Sequence, residues 1–124
     1  MELKSILSIS AELDRLKDAG RRNVFAPSDL SGGNITISNV GNIGGTLLHP
    51  VIPPNELCIG AIGRIQRLPR LLEVNGEERF VATDMVHVSF NADHRVIDGA
   101  TMARFVSLFK AYLETPSRLI VQMV

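Results

Sequence analysis

A single cysteine in 124 residues, Cys58, excludes an internal disulfide and fits a reducing compartment. An excess charge of either sign is missing as well: Lys+Arg 13 against Asp+Glu 13 leave a formal net charge of zero. Nucleic-acid binders usually carry a basic face to meet phosphates, so no such partner is expected. No apolar run approaches the ~20 consecutive residues a membrane-crossing helix needs. The start, Met1-Glu2-Leu3-Lys4, is neither apolar like a secretory leader nor Arg-rich like a transit peptide, so any targeting element is expected to be absent from this chain. No group of His, Cys or Asp has metal-ligand spacing, and no metal site is expected. Repeats, low-complexity tracts and internal linkers are absent too, so the chain is read as one domain or part of one. Its hydrophobic content of 45% and charged content of 21% are ordinary for a globular protein.

Hydrophobic periodicity supplies the elements. Ile6, Ile9, Leu13 and Leu16 recur at helical spacing, which predicts a helix over 5–19 stopped by Gly20. Residues 21–27 read as a loop, 29–33 as a turn and 35–38 as a strand. From Gly41 to Pro54 the glycines and prolines exclude a helix, because proline lacks the amide donor and clashes with the preceding turn. Residues 57–66 are apolar and β-branched enough for a buried strand. Asn75-Gly76 predicts a hairpin joining 71–74 to 79–83, since both residues tolerate positive φ. Residues 85–90 alternate as a strand. A second helix is expected over 100–114, with Met102, Phe105, Phe109 and Leu113 on one face and Pro116 closing it. Residues 117–124 would add an apolar turn or strand. The order α, several β, α indicates an α/β protein, a sheet layered with helices.

The chemistry concentrates in Asp93-His94-Arg95-Val96-Ile97-Asp98-Gly99-Ala100. His94 follows a strand and precedes a helix, where catalytic groups are often presented, and an imidazole can take and return a proton near neutral pH. Asp98 has two readings. It is an N-cap of the second helix that shapes the turn aiming His94, or a buried carboxylate paired with Arg95 or Arg104. Upstream, Ser38-Asn39-Val40-Gly41-Asn42-Ile43-Gly44-Gly45-Thr46 offers a hydroxyl and backbone amides that could stabilise an oxyanion. Ser38 is equally a polar strand end, and most of these glycines are explained by a tight turn. The glycine spacing lacks the nucleotide-binding pattern. His49 and His87 read as structural, His87 within the alternating strand, and Cys58 as a small packed hydrophobe. A base and an oxyanion donor together suggest acyl transfer.

These residues resemble a known family. His94 to Gly99 matches the His-x-x-x-Asp-Gly signature of dihydrolipoamide acyltransferases, and a second block runs from Asp29-Leu30-Ser31-Gly32-Gly33 through Ile43-Gly44-Gly45-Thr46. The similarity, from about Ser5 to Thr115, is to the C-terminal half of the catalytic domain, whose fold is chloramphenicol acetyltransferase-like, a mixed sheet layered with helices. Pro50-Val51-Ile52-Pro53-Pro54-Asn55-Glu56 and Ile59-Gly60-Ala61-Ile62-Gly63 look most like the branched-chain 2-oxoacid type. The resemblance implies transfer of a branched acyl group between dihydrolipoamide and coenzyme A. His94 would be the base, Ser38 the oxyanion donor, and Asp98 the third residue of the catalytic set. Ser38, Asn39, Gly63, Ile65 and, less closely matched, Lys17 would contact coenzyme A. It further implies trimers assembled into a hollow cage, with His94 of one copy facing Ser38 of its neighbour. The compartment implied is the mitochondrial matrix for a eukaryotic source and the cytoplasm for a bacterial one.

Residues 1–124 are thus expected to be a partial catalytic domain. Lys4, Lys17 and Lys110 do not sit in the Asp-Lys hairpin of a lipoyl domain, so the lipoyl group would be carried elsewhere. No subunit-binding domain for the dehydrogenase partners is expected, and Met1-Glu2-Leu3-Lys4 stands where the end of a strand would precede the first helix. The alternative to an enzyme is a non-catalytic core component that keeps assembly contacts without turnover. A free-standing binding module is the third reading.

Overall fold

The computed structural model describes residues 4–122, in two compact units. One comprises the chain up to Gly33 together with the chain from Gly99; the other is Asn34–Asp98.

The first unit is helical. α1 spans Ile6–Arg21, and its N-cap is Ser5, whose hydroxyl accepts from the Ser8 amide at 3.2 Å. This satisfies one of the amide donors that a helix start leaves without an intrahelical partner. The expected stop at Gly20 is corrected: the helix runs through it. The terminating residue is Asn23, in the left-handed region at φ 54. Its amide donates to the Gly20 carbonyl at 3.1 Å, and the Val24 amide donates to Ala19 at 2.9 Å. This is the bond pair of a Schellman C-terminus, and asparagine substitutes there for the more usual glycine. Gly20 serves packing instead, since a Cβ on it would stand 3.2 Å from the Phe25 ring.

Within the residues read as loop and turn, Pro27–Leu30 forms a 3-10 turn. Arg15 ties it to α1: the guanidinium binds Glu12 at 2.7 Å and Asp29 at 2.6 Å. Asp29 also accepts from the Ala26 amide at 3.0 Å. Arg15, and then that amide, hold the Asp29 carboxyl below the usual carboxylate range. α2 spans Gly99–Glu114, and α3, Ser117–Gln122, corrects the expected turn or strand. α3 packs on α2, and the Tyr112 hydroxyl donates to the Gln122 side-chain oxygen. Residues 123 and 124 lie outside the described residues, as do 1–3.

The second unit holds the strands. β1 (Ile35–Asn39) pairs parallel with β2 (Cys58–Ile62), which pairs antiparallel with β5 (Val88–Ala92). β2 is therefore central, and Cys58, Ile59 and Ala61 are buried. Ile37, Gly60 and Phe90 share one register level, and a Cβ on Gly60 would overlap the Phe90 ring. Because directly paired residues share a face, Ile35, Ile37, Cys58, Val88 and Phe90 line one side of the sheet. Thr36, Ser38, Ser89 and Asn91 lie on the other. There the Asn91 amide donates to the Pro50 carbonyl at 2.5 Å.

Several strand boundaries differ from expectation, and the expected strand over 85–90 is β5, Val88–Ala92. The run 57–66 breaks after Ile62, and Gln66 begins β3 (Gln66–Val74). The break is tertiary: the Arg64 amide leaves the strand for the Gly45 carbonyl at 2.6 Å. Likewise Met85 ends β4 (Glu77–Met85), so His87 lies in a link between β4 and β5 and not in a strand. Its carbonyl accepts from Gly63 at 3.0 Å. β3 and β4 form the Asn75-Gly76 hairpin, with φ of 55 and 81 at the turn. Its nine-residue strands are longer than the hydrophobic pattern implied, because the pairing continues through the charged positions Arg67 and Asp84.

Candidate active site

The predicted site residues gather at two places in the Asn34–Asp98 unit. The first lies where β1 and β2 end. Ser38 is half-buried, and its hydroxyl has no hydrogen-bond partner among the described residues. Asn39 pairs with Ile62, which places Ser38 and Asn39 beside Gly63. The Asn39 side-chain oxygen accepts from the Gly41 amide at 3.1 Å and so turns the chain into the glycine-rich loop. That loop interlocks with Gly63. A Cβ on Gly63 would lie 2.5 Å from the Thr46 carbonyl oxygen, and one on Gly41 would lie 2.6 Å from the Gly63 oxygen. Ile65, two residues on, is exposed.

The close packing decides which donors are free. The amides of Gly41, Ile43, Gly44, Gly63 and Arg64 are all bonded within this unit. The loop amides at those positions are therefore not available to an oxyanion, and the Ser38 hydroxyl is a donor without a partner among the described residues.

The second place is the turn between β5 and α2. His94 is exposed, with no hydrogen-bond partner for its imidazole among the described residues. The chain on either side is held firmly. The Asp93 amide donates to Leu57 at 2.9 Å, continuing the sheet ladder, and its carbonyl accepts from Val96 at 3.0 Å and Ile97 at 2.9 Å. Its carboxylate accepts from the Arg95 amide at 3.0 Å, and from the Arg95 guanidinium at 2.6 Å from Nη2 and 3.0 Å from Nε. The guanidinium, then the amide, bring the Asp93 carboxyl down to about 2. Arg95 thus pairs with Asp93, and Asp98 is exposed and not the buried carboxylate of the pairing reading. Asp98 immediately precedes Gly99, the first residue of α2, as its capping reading requires. Sequence reasoning passed over Asp93; the signal was an Asp two residues before an Arg in a turn, a spacing at which an aspartate can bond the backbone ahead of it.

Lys17 lies on α1, in the other unit, with its ammonium 2.9 Å from Asp14. Cys58 is buried as expected, and burial pushes its thiol pKa up, which suits packing and not reactivity. Among the described residues no cluster of His, Cys, Asp and Glu could hold a metal.

Ser38 and His94 are not brought together within one copy. Ile35, Cys58 and Ala92 share one level of the sheet. Ser38 lies three residues along β1 from that level, about 10 Å, and two strands across, about 10 Å more. β5 runs antiparallel to β2, so its exit toward His94 leads away from Ser38.

Residues 1–121 match the family model described as 2-oxoacid dehydrogenases acyltransferase (catalytic domain). A Caenorhabditis elegans protein, the mitochondrial lipoamide acyltransferase component of branched-chain alpha-keto acid dehydrogenase complex, is 45% identical over 98% of the chain and 27% of its own length. Among solved structures, the Azotobacter vinelandii dihydrolipoamide acetyltransferase superposes with a TM-score of 0.81 at 31% identity, over 94% of this chain and 46% of that one. The cubic core of the pyruvate dehydrogenase multienzyme complex gives 0.81 at 30% identity, over 94% and 46%. The chain thus spans about a quarter of the curated relative and a little under half of the solved chains. The mixed α/β fold is that of the acyltransferase catalytic core. In the Azotobacter protein a serine, a histidine and an asparagine four residues after it were probed for their role in the catalytic mechanism. His94 and Asp98 have the same spacing.

Proposed function

Since the chain belongs to the 2-oxoacid dehydrogenase acyltransferase catalytic-domain family, we propose that it transfers a branched-chain acyl group between dihydrolipoamide and coenzyme A at a site shared by two copies. The observation that carries the reading is the separation of Ser38 and His94 across the sheet. A single tetrahedral carbon is only a few ångströms across, so a base and an oxyanion donor this far apart serve it only if they come from different copies. The trimer and cage of the sequence-based expectation provide such pairs, and a solved relative of this fold is a cubic core.

In this mechanism the His94 imidazole accepts the proton of the attacking dihydrolipoamide thiol. A thiol with a pKa near ~8.5 is mostly protonated at neutral pH, so a base raises the thiolate fraction as attack proceeds. The new S–C bond forms at the thioester carbonyl, and Ser38 of the neighbouring copy donates to the oxyanion. The C–S bond to coenzyme A then breaks, and the leaving thiolate takes the proton back from His94. Asn39, Gly63 and Ile65 lie at the Ser38 end, where coenzyme A would bind. The lipoyl group arrives on a separate domain, and dehydrogenase-complex components are recruited through other domains. The branched-chain assignment and a mitochondrial location in a eukaryote follow the Caenorhabditis relative.

The test is transfer from isovaleryl-CoA to dihydrolipoamide, with wild type beside His94→Asn. Transfer by wild type alone, with both proteins at the same native mass, supports the reading. No transfer by a correctly assembled wild type favours the non-catalytic core component, and undiminished transfer by His94→Asn removes His94 as the base.

A further inference from the structure

We infer that Asp93 is a positioning residue for His94: through its carboxylate clamp on Arg95 it holds the turn that sets the direction of the imidazole. The inference rests on the proposed acyl transfer, deepening the same site.

Both backbone polar groups of Asp93 and both of its carboxylate oxygens are engaged. The amide continues the β2–β5 ladder at Leu57, the carbonyl receives Val96 and Ile97, and the carboxylate receives the amide and guanidinium of Arg95. The carboxylate is mostly shielded, with a side-chain exposure of 18%, whereas Arg95 is 88% exposed. The Arg95 side chain therefore reaches back across the turn when it could extend into solvent. His94 is enclosed by these bonds and bonded by none of them among the described residues. The backbone is fixed while the imidazole stays free for substrate. Such an arrangement suits a general base, which must meet a thiol proton at hydrogen-bond distance, and a misplacement of about 1 Å can cost ~100-fold in rate.

Asp93 and Arg95 act as one unit, so their substitutions should not add. Asp93→Ala is expected to lower kcat by ~10- to 100-fold with KM within about twofold, because orientation and not substrate contact is lost. Arg95→Ala should lower it less, since the Asp93 bond to the Arg95 amide survives. The double variant should be no slower than Asp93→Ala alone. Asp93→Asn, which keeps an acceptor for the amide, should recover part of the loss.

A second readout needs no turnover: three-bond couplings of the His94 side chain, measured by NMR on the assembled protein. One χ1 rotamer in wild type and averaged couplings in Asp93→Ala support the clamp even if acyl transfer is absent, in which case only the functional reading fails. Averaged couplings already in wild type, or unchanged couplings and kcat in Asp93→Ala, overturn it.

Discussion

Ser38 and His94 stand on opposite sides of the register level shared by Ile35, Cys58 and Ala92, one along β1 and the other beyond the exit of β5. No rotamer change in either residue closes the gap of about two strand spacings and three residue rises. If one copy supplies the donor and its neighbour the base, Ser38→Ala and His94→Asn should complement each other. Each alone should be nearly inactive. After co-refolding at equal amounts, about one site in four combines an intact Ser38 with an intact His94, so about a quarter of wild-type transfer should return. Absence of any recovery in mixed oligomers confirmed by native mass spectrometry would place the functional pair elsewhere.

Ser38, whose hydroxyl has no partner among the described residues, should carry a large share of the oxyanion stabilisation. Ser38→Ala is expected to lower kcat by ~100- to 1000-fold, as removal of an oxyanion donor does in acyl transfer, with little change in KM. A steady-state comparison with unchanged kcat would show that another donor serves the oxyanion.

Asp98 separates its two roles by substitution. Asparagine is as good an N-cap as aspartate, and a solved relative presents asparagine four residues after its histidine. Asp98→Asn should keep both stability and most of the activity. Asp98→Ala should lose about 1 kcal/mol of stability, read from urea denaturation, as well as activity. A large loss of activity in Asp98→Asn with normal stability would mean that the charge itself is needed.

Gly63→Ala tests the interlock beneath Ser38. Its new methyl would meet the Thr46 carbonyl oxygen at 2.5 Å, and that oxygen is backbone, which cannot swing aside. Overpacking of this kind typically costs ~1–3 kcal/mol, and coenzyme A binding should weaken in parallel because Ser38 and Asn39 adjoin the same loop. A denaturation midpoint equal to wild type would show that the loop yields.

Acid should loosen the His94 turn. The Asp93 carboxyl falls from its ordinary 3.8 to about 2, first through the Arg95 guanidinium. Its folded-state value lies below its unfolded one, so this stabilisation is fully present above about pH 4 and disappears as pH falls through about 2. Amide exchange at Arg95, corrected for intrinsic rates, should accelerate across that window in wild type. In Asp93→Ala, which removes the acceptor, it should already be fast and independent of pH there.

Much of this protein follows from local pattern. Helical spacing at Ile6, Ile9, Leu13 and Leu16, the turn chemistry of Asn75-Gly76 and the density of prolines before β2 each depend on neighbours in sequence, and each produced its expected element. The identity of His94, Asp98 and Ser38 as candidates was equally legible, because chemistry is written in residue types. What failed depended on distant partners. The run through residue 66 breaks because Arg64 turns to Gly45, and His87 leaves its strand because its carbonyl receives Gly63. Most decisive is the parallel pairing of β1 with β2 and the antiparallel return of β5. Strand direction and register are long-range hydrogen-bond choices, invisible in any window of sequence, and they alone determine that one copy presents its hydroxyl and its imidazole at opposite ends of the sheet.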